Sequence, residues 1–306
     1  MNLDIGEVLG RMWKIGWNHK VLWLWQMLPA LFAGLLMPFM FVANPAFAMF
    51  LPEQWNHYAN ETWVAVAFVA LTFILMLPIM FVGIIAQLTT TYGAVKVEKG
   101  AEKLAFRELF RESLPYFWRV LGLYAIFGGA WMLIWFGFTA FFMFSTIFTF
   151  GLGFICIIPL FLLLIPVLIV GYSVLELAQA AIIADDMGTL ESISRGWKLF
   201  RLNWLGVILL MVILYFAMTL LSSIFAFPMM FPMMLFPLGM ESHGKFNDLI
   251  LVFFFVFFPI MMFFMYAIQG ILMAFFQTAW VVIYMRLNHN ANTPIILKEK
   301  PAEAGI

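Results

Sequence analysis

Residues 189–216 set the pattern for the chain. Leu190, Ile193, Trp197, Phe200 and Trp204 recur at steps of three and four, so they share one helical face. Glu191, Arg195, Lys198 and Arg201 fall on the other. From Leu205 the charges stop and the chain turns apolar. A helix with a charged face and a tryptophan-rich face lies at a membrane surface, and a long apolar run joined to it crosses the membrane. The same order recurs near residue 3 and near residue 104. The first of these begins with Asp4 and Glu7, a capping-box signal, and carries Trp13 and Trp17 at its end. The second draws its apolar stripe from Phe106, Leu109, Phe110 and Phe117.

Six spans follow from the apolar runs, at roughly 21–43, 63–88, 118–145, 154–182, 205–226 and 249–283. Prolines at 29 and 78 are expected to kink the first two. Gly128–Gly129 marks a place in the third where helices can approach closely. The segment 227–248 contains Pro228, Pro232 and Pro237, which predicts a break in helix there. The expected fold class is therefore an all-α membrane protein with six transmembrane helices and three amphipathic interfacial helices. It forms one polytopic domain over 1–287, with a mobile tail over 288–306.

Composition agrees. Of the 306 residues 65% are hydrophobic and 10% charged, against about 45–50% and about 25% in soluble domains. Net charge is zero, which gives no basic field for nucleic acid. The placement of charge says more. Of the 16 Lys and Arg, all but Lys245 fall at the chain's start, in 94–119, in the fourth-to-fifth connection, or at the end. Short loops rich in Lys and Arg stay in the cytoplasm. Both termini are thus expected there, in a bacterial inner membrane, with the first span as an uncleaved insertion signal.

The chain also reads as three parallel units, roughly 3–94, 104–184 and 189–287, each a surface helix followed by a two-span hairpin. Glu7, Arg11, Trp13 and Lys14 match Glu191, Arg195, Trp197 and Lys198 without a gap. The second span of each unit carries a glutamine near its cytoplasmic end: Gln87, Gln179 and Gln277. Parallel repeats imply an axis along the membrane normal, and the three glutamines are expected to face a shared interior.

Candidate chemistry is sparse. Glu176 is the one acidic residue inside an apolar span, either a proton or cation site or a glutamate bonded to a tyrosine. With Gln87, Gln179, Gln269 and Gln277 it forms the set of intramembrane polar candidates. Arg107, Arg111, Arg195, Lys198 and Arg201 are candidates for anionic lipid headgroups, or simply topology determinants. Met229, Met230, Met233 and Met234 with His243 suggest a weak soft-metal site, but the chain holds 23 methionines. Glu53, His57 and Glu61 lack a second histidine. Ser192 and Ser194 have no triad partners, and the single cysteine, Cys156, reads as a small apolar side chain. No catalytic residue, metal or cofactor is expected.

The run AAIIADDMGTLESISRGWKLFRLNWLGVILL resembles the membrane domain that accompanies glycerophosphoryl diester phosphodiesterases, and related bacterial multi-pass proteins. The opening DIGEVLGRMWKIGWNHKVLWLW is similar to the start of stand-alone members. In that family, activity belongs to a separate soluble barrel, which needs about 250 residues. No soluble stretch of that size occurs in these residues, so the resemblance carries over no catalytic residue. It implies a link to lipid or glycerophosphodiester metabolism. Two readings result: a non-catalytic membrane protein binding anionic lipid or a partner at the cytoplasmic leaflet, and a small-molecule or lipid transporter lined by Gln87, Glu176, Gln179 and Gln277.

Overall fold

The computed structural model describes residues 4–43, 62–148, 153–239 and 257–292. Every regular element among them is helical. They are α1 (Ile5–Asn18), α2 (Val21–Ala43), α3 (Thr62–Glu98), α4 (Phe106–Ser113), α5 (Phe117–Phe148), α6 (Gly153–Ala184), α7 (Thr189–Leu202), α8 (Trp204–Gly239) and α9 (Phe258–Asn292). Five of them, α3, α5, α6, α8 and α9, include stretches long and apolar enough to cross a membrane. The sixth apolar helix, α2, is shorter at 23 residues, still above the length of about 20 that a bilayer requires. This is an all-α, multi-pass membrane protein.

The spans pack in a cyclic order. Helices α3, α6 and α9 touch one another and form an inner triangle. Outside it, α2 bridges α9 and α3, α5 bridges α3 and α6, and α8 bridges α6 and α9. Each short amphipathic helix then rests on an inner helix of the preceding unit: α4 on α3, α7 on α6, and α1 on α9, which closes the ring.

The charged ends of the helices are tied together on one face. Arg286 pairs with Glu7 at 2.8 Å and Arg11 with Glu98 at 2.7 Å, so α1 is clamped between α9 and α3. Lys99 donates to the Ala184 carbonyl at 2.7 Å. Tyr284 and Asn288 of α9 donate to Asp185 at 2.6 and 3.1 Å. Arg119 pairs with Asp186 at 2.6 Å, and Lys96 with Glu108 and Glu112 at 2.7 and 2.9 Å. Exposed pairs contribute about 0–1 kcal/mol each, so they fix orientation more than stability. Glu7 and Arg11 stand four apart, yet each takes its partner from a different inner helix.

Local signals explain several helix ends. Asp4 caps α1 by accepting from the Glu7 amide at 3.1 Å. Gly100, at φ 105°, ends α3: its amide donates to Val97 and the Ala101 amide to Lys96. That pair of bonds is a Schellman cap, which needs the left-handed residue glycine supplies.

Four expectations are corrected. Helix α8 runs on to Gly239, through the positions of Pro228, Pro232 and Pro237. Each proline removes one amide and strains one turn, and the helix continues through all three. Helix α3 continues to Glu98, ten residues past the expected end. Helix α9 reaches Asn292, into the expected tail. Finally, a Cβ added at Gly128 or Gly129 would meet nothing within 4 Å. The close approach lies elsewhere, at Gly270, where a Cβ would stand 2.8 Å from the Gln26 carbonyl and the Met27 Cα.

Candidate functional site

The inner helices α3, α6 and α9 each run unbroken to the charged face, and each presents one glutamine six to nine residues before a charged residue at that face: Gln87 before Lys96, Gln179 before Asp185 and Gln277 before Arg286. At about 1.5 Å per residue the three lie roughly 9–14 Å below that face. Their side chains converge. Gln179 donates through Nε2 to Thr91 Oγ1 at 3.0 Å. Thr91 donates to Gln277 Oε1 at 3.4 Å, and Gln277 donates through Nε2 to Glu176 Oε1 at 3.2 Å. On the other side, the Tyr124 hydroxyl of α5 faces the carbonyl oxygens of both Gln87 and Gln179, at 2.7 Å from the latter. Tyr172, one turn before Glu176 on α6, is the carboxyl's other neighbour. One chain of hydrogen bonds thus links α5, α3, α6 and α9.

The centre of the network is buried, while Gln87, Tyr124 and Tyr172 at its margins are half-buried. Gln179 is 0% exposed, Gln277 1%, and Glu176 and Thr91 2% each. Burying amides and a carboxyl in hydrocarbon is tolerated because each finds partners. The chemistry is that of a lock. Carboxamides, hydroxyls and one carboxyl relay donors and acceptors from helix to helix. The neighbouring threonines have separate jobs: Thr89 contacts Ser113 of α4 at 3.1 Å, while Thr90 bonds back to Ala86 at 2.8 Å.

Four of the five intramembrane candidates, Gln87, Glu176, Gln179 and Gln277, meet in this network. Gln269 does not. It lies two turns deeper on α9, exposed, and accepts a bond from Ser222 of α8 at 2.8 Å. Three members of the network were not singled out by sequence: Thr91, Tyr124 and Tyr172. Gln26 was also passed over. It is 5% exposed on α2, beside Gly270, with its Nε2 unbonded among the described residues.

The cationic set divides in the same way. Arg195 is turned inward and donates to Asn288, next to the Tyr284 hydroxyl. Arg107, Arg111, Lys198 and Arg201 are exposed and make no ion pair among the described residues. Beside them stand exposed apolar side chains: Phe106, Leu190, Trp197, Leu202 and Trp204. Phe200, expected on the exposed apolar face, is instead 5% exposed and packs into the bundle with Leu199. Helix α7 therefore has three faces, charged, apolar and inward-packed. Of the weak metal candidates, Glu53, His57, Glu61 and His243, together with the side chains of Met229, Met230, Met233, Met234 and Cys156, lie outside the described residues.

Comparison of the chain with protein-family models, with curated proteins and with solved structures finds no match.

Proposed function

We propose that this protein is a non-catalytic membrane protein that holds three amphipathic helices at the cytoplasmic leaflet and binds anionic lipid headgroups there. The observation that carries this reading is the set of four exposed cations, Arg107, Arg111, Lys198 and Arg201, which make no ion pair among the described residues and stand beside exposed tryptophan and leucine side chains. Basic side chains near an anionic surface contribute about 1 kcal/mol each. The four together thus supply at most about 4 kcal/mol, or roughly a thousandfold. The excess of Lys and Arg at this face supports a cytoplasmic orientation. The resemblance of 180–210 to the membrane domain of lipid-related phosphodiesterases points to the same surroundings.

The test is lipid-dependent thermal stability of the purified protein in detergent. Phosphatidylglycerol should raise the melting temperature more than phosphatidylcholine, and about 0.5 M salt should erase most of the difference. Changing Arg107, Arg111, Lys198 and Arg201 together to Gln should erase it too. An unchanged response in that variant sinks the reading.

One observation favours the transporter reading: Glu176 is a buried carboxyl shared between two inner helices. Glu176→Gln separates the two. A lock tolerates an amide there, whereas a proton- or cation-coupled carrier loses transport.

A further inference from the structure

Between α6, α8 and α9 lies a groove of about 430 Å³. Tyr172 and Phe276 stand at its inner wall, and Met211, Met218 and Met273 line its length. Ser222 and Gln269 close its deep end, bonded to each other through Ser222 Oγ and Gln269 Oε1. The groove is open on the side where Tyr215, 65% exposed, meets the lipid.

Depth decides what belongs in it. Along α8, Ser222 lies 18 positions beyond Trp204 at the charged face, about 27 Å at 1.5 Å per residue. Gln269 lies 17 positions from Arg286, about 26 Å by the same rise. The hydrocarbon core is about 30 Å thick. The Ser222–Gln269 pair therefore sits just inside the opposite boundary, where the ester carbonyls of the far leaflet lie. Met211 is about 10 Å from the charged face on the same scale, so the methionine-lined stretch reaches past the midplane. A polar group at ester depth with a flexible apolar channel below it has the shape of one lipid chain and its linkage.

The polar group has the right sign as well. Gln269 uses its oxygen for Ser222 and has no acceptor for Nε2 among the described residues. An exposed amide donor in hydrocarbon is costly until an acceptor reaches it. Methionine side chains adapt to a mobile chain better than branched ones do.

We propose that this groove is a binding site for a diacyl glycerolipid of the leaflet opposite the charged face. One acyl chain lies along Met218, Met273 and Met211, and its ester carbonyl accepts from Gln269 Nε2. The site is separate from the headgroup-binding face and stands without it. Through Tyr172, the lipid chain rests against the wall of the Glu176 network.

Native mass spectrometry on the full chain tests this, with a diacyl phosphatidylcholine and its dialkyl ether analogue as the two probes. The ether lacks the carbonyl and keeps headgroup and chain length. The wild type should retain one diacyl lipid, preferring it over the ether by about three- to tenfold, the range of one membrane hydrogen bond. Gln269→Leu should keep the lipid and lose the preference. Met218→Trp should fill the groove and lose the lipid. Equal retention of ester and ether lipid by the wild type overturns the proposal without reliance on any variant. Preference surviving in Gln269→Leu also overturns it.

Discussion

Gln277 is the residue on which the interior turns, because it accepts from Thr91 and donates to Glu176 in the same buried layer. Gln277→Leu would leave the carboxyl with Tyr172 alone. The expected loss is about 1–3 kcal/mol, the cost of an orphaned buried polar group, seen as reduced resistance to denaturant in detergent. Glu176→Gln should cost about 1 kcal/mol or less, since an amide oxygen still accepts from Gln277. A collapse of stability on that change would mean that the carboxylate charge matters, contrary to the lock. The glutamines were legible in the sequence because each lies a similar distance from a charged helix end. Tyr124, Tyr172 and Thr91 were not. Tyrosine and threonine are common near interfaces, and which way a hydroxyl points depends on helix rotation, which an all-apolar span does not encode.

At the scale of elements, α1 and α7 show how far periodicity reaches. Val8, Ile15 and Gly16 are the buried residues of α1, and Ser192, Leu199 and Phe200 lie at the matching positions of α7, buried likewise. The charged faces match in the same register. Sequence periodicity identified both helices as amphipathic and gave their spans. It placed every apolar side chain on one tryptophan-rich face turned to the membrane surface, where the structure has three faces. The third joins Leu199 and Phe200 to a strip of small residues, Ser192 and Gly196: a Cβ on Gly196 would stand 3.0 Å from the Val174 carbonyl and 3.1 Å from the Ala178 amide. Such a strip has low hydrophobicity and leaves no mark on an apolar pattern. The tightest span crossing is equally silent in sequence. Gly270→Ala should destabilise the protein by about 1–3 kcal/mol, since backbone atoms of α2 must move. Gly129→Ala, with open space around it, should be neutral or gain up to about 1 kcal/mol from helix propensity. Parallel thermal melts of the two variants check this pair. Equal losses would place the close crossing elsewhere.

For the whole molecule, the cyclic packing of three helix-plus-hairpin units gives each part a role. Inner helices carry the polar lock, outer helices face lipid, and the surface helices brace the charged end. The order surface helix, span, span was readable from charge and hydropathy alone. The ring was not, since it depends on α1 closing onto α9 across almost the full length of the chain. On the α1 side closure rests on Arg286–Glu7 and on Gly16 against the Phe275 ring, and on the α2 side on Gly270 against the backbone of Gln26 and Met27. Gly16→Leu should therefore detach α1 and raise proteolysis within it, while the spans stay folded. Unchanged cleavage of α1 in that variant would show that the ring closes by other contacts.

The bundle requires the charged ends to share one side of the membrane. With Cys156 replaced by Ala, single cysteines at Lys14, Lys103 and Lys198 can be labelled in sealed vesicles of known orientation with a membrane-impermeant maleimide. All three should react from the same side, the cytoplasmic one. Reaction of Lys103→Cys and Lys198→Cys from opposite sides would contradict the bundle described here.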